Sequence, residues 1–307
     1  MLEQLLTEQR NPASRSIDTL PTEDILRIIN EEDQKVAGAV RATLPAIAQS
    51  VDGVVAAFAR GGRLFYIGAG TSGRLGVLDA AECPPTFNVP PGLVQGIMAG
   101  GEQALARATE ATEDDPESGR RDLKERGFEA RDVLVGIAAS GRTPYVLGAV
   151  AEARALGALT VGISCTPDSM LAKAVDIAIT PLTGPEAITG STRMKAGTAT
   201  KLVLNMITTA AMVRTGHVYG NLMVNVQPKN VKLRDRAERI VAEAAGVDRE
   251  AAAGLLEGSG GNVRGAIVMG RLGATRERAE ELLDAAGGRI SVALKDGGPS
   301  ATRGFAD

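Results

Sequence analysis

Five short apolar runs, separated by helix-like stretches, constrain the fold of this chain more than any other feature. The runs span residues 63–70, 93–98, 132–138, 159–164 and 177–181. Helix-like stretches lie between them at 104–126, 144–156 and 167–174, and a long Ala-, Leu- and Val-rich helix is predicted over 194–215. Strands that alternate with helices favour a mostly parallel sheet with helices on both faces. The sequence therefore predicts an α/β fold.

The regions on either side of these runs are predicted to be helical. Apolar residues recur at helical spacing over 24–59, and Pro45 is expected to separate two helices there. Residues 232–294 contain only helix-like pieces broken by Gly-containing turns, which suggests a bundle of about three short helices. The end of the chain, 297–307, is expected to be frayed. We predict N-terminal helices over 1–55, a sheet domain over 56–228, and a C-terminal bundle and tail over 229–307.

Composition excludes several classes of function. The 307 residues carry a formal net charge of -3, so no basic surface for nucleic acid is indicated. Two cysteines, Cys83 and Cys165, and one histidine, His217, do not have the spacing of a zinc site, and His217 is expected to be structural. The first residues lack the apolar core of a signal peptide, and no long apolar segment suggests membrane association. We expect a cytoplasmic protein without metal or cofactor.

Two of the predicted strands end in loops that suit an anion. Loop 1 is residues 68–74 (GAGTSGR) and loop 2 is residues 139–144 (ASGRTP). Each opens a predicted helix, whose N-terminus favours negative charge, and ligands of open parallel sheets bind beyond the carboxyl ends of the strands. Either loop alone fits an ordinary capped turn, but two in one sheet favour a ligand site. The candidate binding residues are Gly70, Thr71, Ser72, Ser140, Gly141, Arg142 and Thr143.

Loop 1 also matches the G-x-G-x-x-G pattern of dinucleotide-binding folds, through Gly68, Gly70 and Gly73. That interpretation needs an acidic residue at the end of the next strand. The run 93–98 contains no acid, and Glu102 follows several residues late. The pattern therefore does not favour NAD binding.

Longer motifs resemble one family. Residues 184–195 (GPEAITGSTRMK) are similar to the signature shared by N-acetylmuramic acid 6-phosphate etherases and the glucokinase regulatory protein. Both loops resemble the sugar-phosphate loops of sugar isomerase (SIS) domains. The bacterial etherases in particular are similar at residues 11–14 (NPAS) with 17–18 (ID), 28–33 (IINEED), 79–86 (DAAECPPT) and 138–145 (AASGRTPY). The resemblance covers roughly residues 5–295 and departs at Ala81, where the family often has Ser.

This resemblance implies a fold, an assembly and a reaction. The fold is an SIS-type parallel sheet flanked by helices, with a small C-terminal helical bundle of ubiquitin-associated type, and the assembly is a homodimer. The reaction is loss of D-lactate from the C3 ether of a phosphosugar, giving N-acetylglucosamine 6-phosphate during peptidoglycan amino-sugar recycling. Because an alkoxide leaves poorly, elimination followed by addition of water is the easier route. In that route a base removes the C2 proton of the open-chain sugar and an acid protonates the C3 oxygen.

Two acids resemble the family's catalytic pair, Glu82 and Glu113. Glu82 stands among Ala, Cys and Pro residues, where a carboxyl group is expected to be partly shielded from water. Glu113 lies in an acidic run with Glu110, Asp114 and Asp115, and such a run alone is typical of a solvated helix face. We predict that Glu82 protonates the C3 oxygen and that Glu113 removes the C2 proton.

Three charged residues of the signature are further candidates for substrate contact: Glu186, Arg193 and Lys195. Arg193 and Lys195 suit a phosphate or a lactate carboxylate, or else they serve packing and ion pairs near a helix start. Two other functions stay open at this point. One is a non-enzymatic sugar-phosphate sensor like the glucokinase regulatory protein, which is much longer and carries two SIS domains. The other is an aldose-ketose sugar-phosphate isomerase, which would use the same loops.

Overall fold

The computed structural model describes residues 6–107, 113–226 and 231–297. The chain divides into two compact units, Met1–Cys83 with Pro90–Thr209, and Pro84–Val89 with Ala210–Asp307. Each unit contains its own cluster of buried apolar side chains. The candidate site residues that the sequence identified all fall in the first unit.

The first unit alternates strands and helices, as the sequence predicts. Its strands are β1 (Leu64–Gly68), β2 (Val94–Met98), β3 (Val133–Ile137), β4 (Leu159–Ile163) and β5 (Ile177–Ile179). Its helices are α1 (Thr22–Arg41), α2 (Leu44–Ala59), α3 (Gly70–Phe87), α4 (Gln103–Ala106), α5 (Pro116–Glu125), α6 (Pro144–Ala155), α7 (Met170–Ala174) and α8 (Lys195–Arg214). The last residues of α3 and α8 are grouped with the second unit.

The five strands form one parallel sheet in the order β2-β1-β3-β4-β5. Gly68, the last residue of β1, is opposite Met98 on one side and Ile137 on the other. The strand order changes direction between β1 and β3, and ligands of such sheets bind at this switch point beyond the carboxyl ends. Loop 1 follows β1 and loop 2 follows β3, so the two predicted phosphate loops are neighbours. The predicted α/β parallel sheet is confirmed.

The sheet gives the loops a firm base because its central strands are buried along their whole length. All five residues of β1 and all five of β3 are buried. On one face, Phe65 and Leu134 pack with Tyr145 and Val146 of α6. Phe65 also contacts Phe128 edge-to-face, with ring centroids 5.2 Å apart. Such continuous apolar strands are typical of a sheet that is covered on both faces.

The structure tests two predictions about helix boundaries, one at Pro45 and one over 104–126. The predicted break at Pro45 is confirmed, because α1 ends at Arg41 and α2 begins at Leu44. The single helix predicted over 104–126 is wrong, because α4 ends at Ala106 and α5 begins only at Pro116. Asp115 caps α5 by accepting a hydrogen bond from the backbone N–H of Glu117. Proline at the first helical position and aspartate before it start a new helix.

The second unit is mainly helical. It contains a short antiparallel pair, β6 (Val218–Tyr219) and β7 (Leu222–Met223), followed by α9 (Val231–Ala245), α10 (Arg249–Gly258), α11 (Val263–Leu272), α12 (Arg276–Ala285) and α13 (Ile290–Gly297). The expectation of about three short helices is therefore wrong, since five are described. The Gly287-Gly288 pair, with both residues at positive φ, makes a break that the sequence analysis overlooked. The predicted frayed end, from 298 onward, lies outside the described residues.

The described helices give no clear membrane span. None of them alone is long and apolar enough to cross a bilayer. Helices α1 and α2 meet that criterion only when joined, and they are bent by 59° at their junction. The described residues also contain no group of three or more His, Cys, Asp and Glu side chains that could hold a metal ion.

Candidate functional site

Loop 1 turns directly from strand to helix, because its glycines let the two backbones approach closely. Gly70 begins α3 with a φ of 53°, a conformation that favours glycine. A Cβ atom on Gly73 would lie 2.6 Å from the carbonyl oxygen of Gly68. No larger residue fits there, so the first turn of α3 lies at the carboxyl end of β1. Thr71 and Ser72 are half-buried in this turn, where their hydroxyls and the helix N-terminus suit an anion.

Loop 2 packs against the start of α7. Gly141 has a φ of 64°, and a Cβ atom there would lie 2.3 Å from Ser169 Oγ. The carbonyl oxygen of Gly141 accepts a hydrogen bond of 2.9 Å from the backbone N–H of Leu171. Thr143 occupies the N-cap of α6, but its side chain makes no capping bond. The hydroxyls of Ser140 and Thr143 therefore suit an anion at the helix start.

Glu113 lies between the two loops. Its backbone carbonyl accepts a hydrogen bond of 3.1 Å from the N–H of Tyr145, in the first turn of α6. Its Oε1 atom lies 3.4 Å from the position that a Cβ on Gly70 would occupy. Glu113 is half-buried and precedes α5, so the interpretation of this acid as part of a solvated helix face is wrong. The structure thus brings one of the two predicted carboxylates to the loops.

Glu82 lies elsewhere in the same chain. It follows Gly70 along α3 by about 18 Å of helix axis, at 1.5 Å per residue. Its side chain is exposed, so the predicted shielding by Ala, Cys and Pro neighbours is not provided by this chain alone. Glu82 lines a groove of about 290 Å³ between α3 and α8. The other residues that line the groove are Leu75, Leu78, Asp79, Lys201, Leu204 and Asn205.

The base of this groove holds a buried carboxylate that the sequence analysis missed. Asp79 accepts hydrogen bonds from the hydroxyl of Tyr66 at 2.9 Å, from Nδ2 of Asn205 at 2.6 Å and from the hydroxyl of Thr208 at 3.3 Å. Burial raises the pKa of Asp79, although these bonds oppose the rise. Burial also raises the pKa of the neighbouring Cys83 thiol to about 12, which makes it a poor nucleophile.

The signature segment caps helix α8. Glu186 is buried, and its two carboxylate oxygens accept hydrogen bonds of 2.9 Å from the backbone N–H groups of Lys195 and Ala196. Burial raises the pKa of Glu186, and the two backbone bonds and the nearby Lys195 charge oppose that rise. A carboxylate at this place satisfies amides that a helix N-terminus leaves unpaired. Glu186 therefore supports α8 in this chain.

Lys195 is held by an acid from the N-terminal helices. Its side chain is only 2% exposed, and Nζ donates a hydrogen bond of 2.5 Å to Oε2 of Glu32. Burial alone would raise the pKa of Glu32, but hydrogen bonds from Lys195, Lys35 and Asn11 outweigh it and lower the pKa to about 2. Asn11 also donates to the carbonyl oxygen of Pro185 at 3.0 Å. The motifs at 11–14 and 28–33 thus pack against the signature.

The start of α8 lies against loop 1. A Cβ atom on Gly197 would be 3.5 Å from Cγ2 of Thr71, which is ordinary van der Waals contact. Arg193, just before α8, is exposed and makes no hydrogen bond or ion pair within the described ranges. Arg142 of loop 2 is half-buried. Arg74 of loop 1 is committed elsewhere, since its guanidinium donates to two carbonyl oxygens at the end of α4.

His217 takes no part in this arrangement. It belongs to the second unit, where Nδ1 lies 2.9 Å from Nδ2 of Asn225. Burial and the charge of Arg264 lower the pKa of His217. Asn225 also donates to the carbonyl oxygen of Phe87 at 2.7 Å. These contacts agree with the structural role that was expected.

Comparison with known proteins places this site in a family. Residues 46–154 match the family described as glucokinase regulatory protein N-terminal SIS domain, and residues 127–210 match the SIS domain family. An N-acetylmuramic acid 6-phosphate etherase of Edwardsiella ictaluri is 59% identical over 268 residues, 87% of this chain and 89% of that protein. The etherase of Aeromonas hydrophila is 58% identical over 87% of this chain and 90% of that protein. This chain belongs to the N-acetylmuramic acid 6-phosphate etherase family.

Membership of the etherase family confirms the resemblance that the motifs suggested, and the SIS-type fold with it. Among solved structures, a phosphoheptose isomerase of Francisella tularensis is 20% identical, with a TM-score of 0.48, over 61% of this chain and 98% of that chain. The etherase relatives match at a far higher identity.

The buried ion pair between Glu32 and Lys195 leads to a prediction about stability. Glu32→Gln leaves the Lys195 charge buried without its partner, and should lower the free energy of unfolding by about 3–5 kcal/mol. Replacing both residues, as Glu32→Gln with Lys195→Met, should cost less than Glu32→Gln alone. Urea denaturation of the purified variants measures both effects.

The pH dependence and a neighbouring acid provide the controls. Because the pKa of Glu32 is lowered from the usual 4.5 to about 2, its contribution is complete above pH 4.5 and is lost as the pH falls toward 2. The difference between wild type and Glu32→Gln should shrink over that interval. Glu31→Gln removes an exposed carboxylate one residue away and should change stability by less than about 0.5 kcal/mol. Equal losses in the two variants would contradict the assignment.

Proposed function

We propose that this protein cleaves the D-lactyl ether of N-acetylmuramic acid 6-phosphate, releasing D-lactate and N-acetylglucosamine 6-phosphate. The observation that carries the proposal is the carboxylate of Glu113 between two loops that suit an anion, in a chain of the etherase family. We further propose that the reaction is an elimination across C2 and C3 followed by addition of water. The protein would then be a carbon–oxygen lyase.

The two loops hold the 6-phosphate in this proposal. Loop 1 offers Thr71 and Ser72, loop 2 offers Ser140 and Thr143, and the N-termini of α3 and α6 add their amides and dipoles. Arg142 supplies a positive charge beside them. Anchoring the phosphate at the strand ends leaves the rest of the open-chain sugar to extend past Glu113. That acid, as a carboxylate, then removes the C2 proton that the C1 aldehyde makes acidic.

Glu82 protonates the C3 oxygen in this proposal, and its position on α3 favours a site completed by a second copy of the chain. In glycoside hydrolases, two carboxylates that act on one glycosidic bond lie about 5–10 Å apart, and a similar spacing is expected for two acids that act on C2 and C3 of one sugar. Within one chain, Glu82 is separated from Gly70, the neighbour of Glu113, by about 18 Å of helix. A homodimer in which Glu82 of one copy completes the site of the other removes this conflict.

The surface around Glu82 suits such an assembly. Leu78 of α3 is 54% exposed and Met206 of α8 is 37% exposed. Apolar side chains on adjacent helices are favoured at a buried interface between identical subunits. Packing of a second copy here would also shield Glu82 from water, as its role as an acid requires.

If loops 1 and 2 hold the phosphate, removing their hydroxyls should weaken binding of the phosphosugar. Ser72→Ala and Ser140→Ala should each weaken binding of the phosphosugar by about 1–3 kcal/mol, because a hydrogen bond to a charged oxygen is lost. The effect should appear as a raised KM in a D-lactate release assay. Ser291→Ala, which removes an exposed hydroxyl from the second unit, should leave KM unchanged. Equal turnover of unphosphorylated N-acetylmuramic acid would show that the loops do not hold a phosphate.

The elimination route predicts deuterium at C2 of the product formed in heavy water. Glu113→Gln should lose exchange of the C2 proton. Glu82→Gln should continue to exchange that proton while releasing D-lactate about 10²–10⁴-fold more slowly. Mass spectrometry of the sugar measures exchange, and an enzymatic assay measures D-lactate. A product without deuterium at C2 would rule out elimination and both assignments.

Shared sites predict recovery of activity when two inactive variants are mixed. Glu82→Gln and Glu113→Gln homodimers are each defective at both sites. If each site takes Glu82 and Glu113 from different copies, a mixed dimer has one intact site, and random exchange should restore about a quarter of wild-type activity. Exchange is induced by mild denaturation and refolding, with each variant treated alone as the control. No recovery in dimers shown to be mixed, by an affinity tag carried on one variant only, would place both acids of a site in one copy.

A further inference from the structure

Lys201 is a positive charge in the groove of Glu82 that the etherase assignment has not yet used. It lies on α8, and it lines the groove together with Glu82 and Asp79. Lys201 is exposed and makes no hydrogen bond or ion pair within the described part of the chain. The other two ionisable groups of the groove are carboxyl groups, so Lys201 is the cation of this groove.

Asp79 does not require Lys201 as a partner. Its carboxylate already accepts hydrogen bonds from Tyr66, Asn205 and Thr208. The charge of Lys201 lowers the pKa of Asp79 less than these hydrogen bonds do. The ammonium group is therefore available to a ligand in the groove.

The chemistry of the leaving group identifies that ligand. In the proposed reaction, Glu82 gives a proton to the ether oxygen between C3 and the lactyl group. The lactyl carboxylate is attached to the carbon next to that oxygen, so it must lie beside whatever side chain protonates the ether. A carboxylate removed from water needs a cation or several hydrogen-bond donors.

We propose that Lys201 binds the lactyl carboxylate and determines the preference of the site for an acidic ether substituent. This proposal rests on the proposed function, and in particular on the role of Glu82. It does not depend on how two copies are arranged, because Glu82 and Lys201 line one groove of one chain and reach the site together. The subsite consists of Lys201 with the amide of Asn205 beside it.

The cations of the signature fit this role less well. Lys195 is buried and paired with Glu32, so its ammonium group has a partner already. Arg193 is exposed, but it belongs to the segment before α8 and does not line the groove of Glu82. The candidate residue that binds the lactyl carboxylate is therefore Lys201 rather than Lys195, six positions earlier in the chain.

The test removes the charge from the enzyme and from the substrate in turn. Wild type, Lys201→Met and Lys201→Arg are assayed on N-acetylmuramic acid 6-phosphate and on its lactyl carboxamide, which has nearly the same shape without the charge. Release of N-acetylglucosamine 6-phosphate gives kcat/KM for both substrates. Lys295→Met, which removes an exposed lysine from the second unit, is the matched control, and thermal melting confirms that each variant is folded.

Lys201→Met should lower kcat/KM for the acid about 10- to 100-fold and leave that for the carboxamide nearly unchanged, because only the acid loses a charge-assisted contact. Lys201→Arg and Lys295→Met should keep the preference for the acid. An equal loss on both substrates would overturn the proposal, since an effect exerted through Glu82 or through folding does not depend on the lactyl charge. Wild type that releases no product from either substrate would instead remove the proposed function, and the subsite with it.

Discussion

The site depends on the parallel pairing of β1 with β3. This pairing brings the ends of two strands that are 69 residues apart, Gly68 and Ile137, to the same edge of the sheet. Each strand then passes into a helix through a glycine-containing loop, and close packing at Gly73 and Gly141 leaves no space for a larger side chain. The result is one edge of the sheet that carries two helix N-termini, the four hydroxyl residues of loops 1 and 2, and one carboxylate. Dipoles and amides that are fixed in advance bind an anion without further ordering of the chain.

The charged residues of the first unit fall into two groups, those that stabilise the fold and those proposed to act on the substrate. The buried charges of the first unit are paired or hydrogen-bonded: Glu32 with Lys195, Glu186 with the start of α8, and Asp79 with three neighbours. Removing one member of such a group leaves a buried charge uncompensated, and all three groups contact α8, so these residues stabilise the packing of that helix. Two of the charges proposed to act on substrate, Glu82 and Lys201, are exposed in the single chain, whereas Glu113 and Arg142 are half-buried. The distance of Glu82 from loop 1 along α3, rather than any single contact, is the physical reason to propose a shared site.

The local parts of the site could be predicted from the sequence because their signals are local. A glycine-rich turn after an apolar run identified both loops, and the identity of the family followed from long motifs. Helix ends in the acidic region could not be predicted as well, because the cap formed by Asp115 and Pro116 competes with helical periodicity over the same residues. Glu113 was placed on a solvated helix face for the same reason, although it precedes the start of α5. Asp79 and Glu32 were missed because a buried acid is recognised by its partners, and those partners lie 126 and 163 residues away.

The sequence by itself determined the α/β class and the family, and it supplied the two candidate loops and the candidate pair of acids. These depend on periodicity and on contiguous motifs, which can be recognised without knowledge of the packing. Only the tertiary structure decided that Glu113 lies beside loop 1, that Glu82 does not, and that Lys195 is enclosed by Glu32 while Lys201 is open to a ligand. Burial and pairing are properties of how distant segments meet, and residues six positions apart on one helix differ in both because they face different neighbours.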